Sequence, residues 1–434
     1  MSTALAVAVA IVGVSGAALV GTMAWRAGSL LAMSLLLVVL EVDVSPVFGD
    51  TADTVRDVVV AFALLGAAAI GWWRLGADRK VVFATPMVYL LALLGSGLAL
   101  APLSIAPLAS AQRSAGAAAL VVVVLVTVHH RGFVDVLEAL LIGLIILVVA
   151  SAVWELSGAG TPVLDWRGEV DTGVAGLARA SGLSGDPNAL GRAAALCAVG
   201  GASLLGRGRG WLPVTAEVVG LGGLFLAQSR TALVVALVML TVIHLRLGHR
   251  RLVALGVSVG LVISAVIVSA GTSTVDLVSR QNGGTQELAT VTGRTGLWEV
   301  VWVLVWDHPI EGFGAFAASE ALADAVEFRW VPFDAADAHN LALDLFLTRG
   351  LIGVALLVAL VGSIVSHRPS RLPWPDPGMM LLVTVVLLSI TENTLRKPAA
   401  PLMVAAAVIT ALTVRPTQPS AAEGPPRTER IRSP

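Results

Sequence analysis

Membrane-grade apolar runs, each closed by charged or turn-forming residues, recur along the whole chain. They fall near residues 4–24, 27–41, 57–73, 82–101, 114–129, 133–155, 188–205, 211–227, 230–245, 252–271, 350–366, 378–392 and 398–414. Their spacing predicts an all-α, polytopic membrane protein with about 12–13 transmembrane helices. Two long polar intervals, 156–187 and 272–349, interrupt the series. Irregular backbone is not tolerated against lipid, so both intervals must pack over or into the helical bundle. The second contains a helix pattern of its own, "RTGLWEVVWVLVWDHP", ended by Pro309. Trp298, Trp302 and Trp306 recur there every fourth residue, a stripe that reads as an interfacial aromatic belt. The expected organisation is N-terminal transmembrane helices over 1–156, a loop over 157–187, central helices over 188–271, a large loop over 272–349, C-terminal helices over 350–414, and a disordered tail over 415–434. The tail, "RPTQPSAAEGPPRTERIRSP", has the Pro, Arg and Ser content of a segment without a core.

Composition strengthens this picture. The 434 residues are 56% hydrophobic and only 13% charged, about half the charged share of a soluble domain. A net charge of −1, with the basic residues scattered along the chain, argues against nucleic-acid binding. Cys197 is the one cysteine and lies in an apolar run, so neither a disulfide framework nor a thiolate metal site is available. The chain opens without the basic region of a secretory signal, which predicts a retained first span.

Charge then sorts the loops by side. Arg26, the Arg74–Lys80 cluster, Arg131, Arg207, Arg209, Arg246, Arg250, Arg251, Arg368, Arg371 and the tail arginines occupy alternate, mostly short connections. The positive-inside rule assigns these to the cytoplasm and both long polar intervals to the outer face. Of seven histidines, only His308 and His339 then face outward. His308, before Pro309, reads as a helix-terminal residue. His339 stands at the entrance to a span with Asn340 beside it and Asp337 two residues before, so it is either a helix-entry residue or a working imidazole.

Arg167, Arg179, Arg192, Arg230, Arg280, Arg294, Arg329, Arg349 and Arg396 lie on the outer side or near its interface. Arg192 and Arg230 sit within apolar runs, where an arginine either snorkels or serves an anionic ligand. A guanidinium fork matches phosphate oxygens and stays charged, so several converging arginines suit a diphosphate held without metal. There are too few outward His or Cys residues for a zinc site. No P-loop, dinucleotide fingerprint or G-x-S-x-G elbow is present, so no ATP-dependent step is expected.

Four segments occur in a telling order. His339, Asn340, nine residues, Gly350 and Gly353 form one; Arg179 and Leu183 in "RASGL", followed by "SGDPNALG", form another. "QSRTA" carries Arg230, and "GRTGLWE" carries Arg294 before "HPIEGFG". Over about residues 175–355 this set resembles the bacterial O-antigen ligase and O-antigen polymerase-like membrane glycosyltransferases. The resemblance implies an all-helical, C-type glycosyltransferase-like fold in the bacterial cytoplasmic membrane, with an extracytoplasmic site. The implied donor is a glycan linked to polyprenyl diphosphate, the acceptor a glycan or lipid hydroxyl, and no cofactor is required. His339 would activate the acceptor while Arg179, Arg230 and Arg294 grip the diphosphate. Asp337, Asn340, Arg192 and Arg349 are secondary candidates, and the family pattern gives Arg349 no role. Ligase and polymerase share this donor and chemistry, so the residues do not separate them. The competing readings are a transporter or flippase of lipid-linked glycans, which would spread polar residues through both leaflets, and an envelope scaffold.

Overall fold

A computed structural model describes residues 29–43, 50–75, 85–158, 179–207, 210–249, 256, 294–327, 337–367, 376–394 and 399–413. The expected span at 4–24, that at 252–271 apart from residue 256, the tail, and Arg167, Arg280, Arg329 and Arg396 lie outside them. Among the described residues every regular element is helical. In chain order these are α1 (Ser29–Glu41), α2 (Asp50–Leu75), α3 (Thr85–Ala99), α4 (Pro107–Arg131), α5 (Phe133–Leu156), α6 (Pro187–Leu204) and α7 (Leu212–Ala227). There follow α8 (Arg230–Arg246), α9 (Arg294–Leu304), α10 (Ala318–Glu327), α11 (Leu341–His367), α12 (Pro377–Ser389) and α13 (Ala399–Thr413). Four stretches, Arg56–Trp73, Pro107–Arg131, Phe133–Leu156 and Leu341–Ser366, are long and apolar enough to cross a membrane, and shorter apolar helices accompany them. The chain is an all-α, polytopic membrane protein.

Helix α6 is the axis of the bundle. Every residue from Pro187 to Leu204 except Asn188 is buried, Cys197 and Arg192 included. Its composition explains why: Ala and Gly dominate, so neighbouring backbones approach closely. A Cβ on Gly201 would stand 2.5 Å from the carbonyl oxygen of Pro213, and one on Gly220 would stand 2.5 Å from the amide of Ala198. Helices α6 and α7 are therefore locked at a spacing that only glycine permits. Asp186 caps α6, accepting from Asn188 N at 2.9 Å, and Pro187 occupies the first helical position. Helix α5 packs against α1 through another backbone approach, with Ser34 donating to the Ala139 carbonyl at 2.6 Å. The far end of α1 reaches α13, where Glu41 accepts from Ala400 N at 2.6 Å.

The helices follow the apolar runs with one consequential departure. Helix α11 begins at Leu341, nine residues before the apolar run at 350–366, because "LALDLFLTR" is itself helical and is capped by Asn340. The large polar interval expected to end at 349 thus ends on a helix. That first half of α11 joins α9 and α10 in a second, smaller core of Leu297, Val301, Val305, Leu322, Phe346 and Leu347, set apart from the main bundle.

Candidate active site

The short loop before α11 is held from three sides. Asp337 accepts from the His339 amide at 2.8 Å, an Asx turn that carries His339 into left-handed backbone at φ 46°. Histidine is one of the few side chains enriched in that region. From α9, Trp298 donates its indole N–H to the Ala338 carbonyl at 2.9 Å. Asn340 does two jobs. Its side-chain oxygen accepts from Leu343 N at 3.0 Å and caps α11, while its amide donates to the Ile390 carbonyl at 2.7 Å, in the turn after α12. The stripe drawn from the sequence is therefore split: Trp298 positions the loop, whereas Trp302 and Trp306 pack edge to face on each other and on Phe346, half-exposed.

Two residues beyond Ile390 stands Glu392, with only 3% of its side chain exposed. Its Oε1 accepts from Arg294 Nη2 at 2.6 Å, and its Oε2 accepts from Arg192 Nη1 at 2.7 Å. The same Oε2 lies 3.7 Å from Nδ1 of His339, which is also 3.4 Å from Asp337 Oδ1. Arg294 additionally donates to the Thr391 carbonyl. A single carboxylate thus joins the loop after α12 to α6, to α9 and to the His339 loop. Removing Glu392 from between the two guanidiniums leaves uncompensated buried charge, at a cost of about 3–5 kcal/mol. Burial opposes ionisation of Glu392, but the His339 imidazole and the two guanidiniums outweigh it and hold the carboxyl down at about 2. Burial likewise opposes charging His339, and Glu392 and Asp337 overcome it, so the imidazole holds its proton above the ordinary histidine range. Both carboxylates approach Nδ1. They favour the tautomer with its proton there and leave Nε2 as the basic nitrogen.

Arg179, before α6, bonds to that helix one turn from Arg192. Its Nη2 donates to Asn188 Oδ1 at 3.3 Å, and Asn188 also accepts from Ser229 Oγ at 3.4 Å. Asn188 and Arg192 stand four residues apart on α6 and share a face. The "RASGL" backbone is clasped by Ser151 and Glu155 of α5, which accept from the amides of Leu183 and Gly182 at 3.1 and 2.8 Å. Arg230 follows Ser229 directly and begins α8, half-buried. The structure therefore gathers Arg192, Arg294, Asp337 and His339 around Glu392, with Arg179 bonded to Asn188 one turn earlier on α6 and Arg230 at the adjoining helix end.

Arg349 goes elsewhere. It is only 4% exposed, its Nε has no hydrogen-bond partner among the described residues, and its guanidinium stands 5.9 Å from the centre of the Phe316 ring. His308 also stays apart, bonded to Glu311 at 3.0 Å and stacked edge-on against Phe313.

The glycines of the His–Asn…Gly-x-x-Gly segment have a backbone role. Gly350 adopts φ 58° and ψ −154°, which breaks α11. The "HPIEGFG" loop lies along the break, with Phe313 N donating to Leu347 O at 2.9 Å and Leu351 N to Pro309 O at 2.8 Å. A Cβ on Gly350 would run into the Ile310 carbonyl. On Gly353 it would stand 2.7 Å from the Arg349 Cβ.

Glu392 escapes a reading of the sequence because it terminates an apolar run, where an acidic residue looks like an interface marker. Its partners lie 200 and 98 residues away. Among the described residues, no three His, Cys, Asp or Glu side chains are placed to hold a metal ion.

Comparison with known proteins fits this geometry. Residues 216–358 match the family model described as O-Antigen ligase, a segment that runs from α7 into α11 and contains Arg230, Arg294, His339, Asn340, Gly350 and Gly353. No curated protein matches the chain.

Proposed function

We propose that this membrane protein, whose residues 216–358 match the O-Antigen ligase family model, transfers a glycan from a polyprenyl-diphosphate-linked donor to an acceptor hydroxyl at the outer face of the bacterial cytoplasmic membrane. One observation carries the reading: two buried guanidiniums and one imidazole converge on a single point, inside or against the matched segment. Guanidinium forks match diphosphate oxygens, and a neutral imidazole is suited to take a proton from a hydroxyl.

In the proposed step, the acceptor oxygen bonds to the anomeric carbon as the bond from that carbon to the donor's diphosphate oxygen breaks. The bonding pair leaves on the diphosphate, where Arg294 and Arg192 stabilise the growing charge, with Arg179 and Arg230 reaching the remaining oxygens. The hydroxyl proton passes to Nε2 of His339. Attack opposite the leaving group inverts the anomeric centre. The bond energy resides in the donor, so no ATP enters the step, and the arginines stabilise the leaving diphosphate in place of a divalent metal.

The test supplies purified protein with a lipid-linked oligosaccharide, candidate acceptors and excess EDTA, and identifies products by mass spectrometry. Transfer onto an acceptor in EDTA supports the reading. Growth of the donor glycan would assign a polymerase, and single capping of a different molecule a ligase. A strict metal requirement, or movement of intact donor across a vesicle membrane without transfer, would overturn it, the latter in favour of a flippase.

A further inference from the structure

The two guanidiniums that the donor diphosphate would need are already engaged by a carboxylate of the chain itself. Glu392 meets both at hydrogen-bonding distance, 2.6 Å to Arg294 and 2.7 Å to Arg192. It is also the acid that stands against the proposed base, through the oxygen that serves Arg192. As arranged, the carboxylate serves the two guanidiniums and leaves Nδ1 of His339 without a hydrogen bond. At 3.7 Å the contact to His339 Nδ1 is too long for a hydrogen bond, which would need about 2.8–3.0 Å.

Building on the glycosyl-transfer reading, we propose that Glu392 is an internal competitor of the donor diphosphate and a positioning residue for His339. Phosphate oxygens take over Arg192 and Arg294. The released Oε2 then closes by about 1 Å onto Nδ1 and fixes the imidazole with Nε2 toward the acceptor. Donor binding and activation of the base are thereby one event. Charge favours the exchange, because a diphosphate brings more negative charge to the same two forks than one carboxylate does. The tether is suited to it as well. Glu392 lies in a turn rather than within a helix, and its neighbour Ile390 is tied to the His339 loop through Asn340, so the carboxylate has a short path and a fixed frame.

The groups facing His339 are Asp337 from its own loop, Glu392 from the turn after α12, Arg294 from α9 and, behind Glu392, Arg192 from α6. Two carboxylates raise its basicity and Arg294 lowers it. Replacing Glu392 by Gln leaves Asp337 as the one carboxylate there, so the acid limb of kcat should move to lower pH.

The test measures inorganic pyrophosphate binding to the purified full chain and to Glu392→Gln, by calorimetry and by the thermal shift that pyrophosphate induces. Glu392→Gln should bind about tenfold more tightly or better, with the larger thermal shift, and Arg294→Ala should lose binding. With the lipid-linked donor, Glu392→Gln should lower KM and kcat together and shift the acid limb downward. Equal or weaker pyrophosphate binding by Glu392→Gln, or a raised KM with an unmoved limb, would reduce Glu392 to a structural ion pair and overturn the inference. Those results would leave the glycosyl-transfer reading standing. If neither wild type nor variant binds pyrophosphate, the diphosphate reading of the arginines falls, and this inference falls with it. Should Glu392→Gln not survive solubilisation, Glu392→Ala carries the same binding expectation.

Discussion

The two ends of one fifteen-residue stretch, His339 to Gly353, are constrained by different physics. At the first end side chains matter. His339 faces two carboxylates, and Asn340 bonds α11 with one atom and the turn after α12 with another. At the second end the absence of side chains matters. Gly350 breaks the helix with positive φ, and the 308–314 loop packs along the exposed backbone. A spacing pattern that looks like a single signature is a chemical half joined to an architectural half. The architectural half sets where the chemical half sits, because the docked loop closes over the same helix that His339 precedes.

That contrast can be broken experimentally, from the largest effect to the smallest. His339→Ala should reduce transfer about a thousandfold or more while the thermal unfolding midpoint of the purified protein stays unchanged. A large fall in the midpoint would place His339 on the architectural side. Arg294→Lys should cost about 10–100-fold in kcat/KM for the donor, since a point charge cannot replace a fork that serves Glu392 and the Thr391 carbonyl together. Gly350→Ala should act in the opposite manner to His339→Ala. It destabilises by about 1–3 kcal/mol, seen in thermal unfolding, and activity per folded molecule should remain near wild type. Asn340→Ala removes a cap worth about 1 kcal/mol and loosens the His339 loop, so both readouts should move modestly. Asn340 thereby marks the boundary between the halves. The pH profile sharpens the chemical side alone. A base must be neutral to accept a proton, and its carboxylate neighbours hold His339 protonated above the ordinary range. Activity should therefore fall as pH drops through a value above about 6.5, and an acid limb below that value would detach the base from His339.

Much of this was legible in the chain. The helices sit on the apolar runs because membrane length and turn residues are local signals, and His339, Asn340, Arg179, Arg230 and Arg294 stand out by residue type and spacing. What was not legible is pairing over distance. Nothing near Glu392 announces that Arg192, on a helix 200 residues earlier, will bond to it. Nor does the sequence distinguish Arg192 from Arg349, both buried arginines inside apolar stretches. One meets a carboxylate and the other an aromatic ring, and only packing decides which. The Trp stripe shows the same limit, since period alone cannot say that Trp298 would hold a loop while its two successors face outward.

The burial of α6 around Cys197 has a practical consequence for mapping the molecule's sides. Cys197 has no exposed surface and is the one cysteine in the chain, so it forms a silent background for thiol-reactive probes. Single cysteines introduced at Trp211, Leu103 or Trp306, all well exposed, can be labelled in intact cells or inverted vesicles without first engineering a cysteine-less parent. The orientation of each connection then becomes a direct chemical measurement on an otherwise unaltered protein.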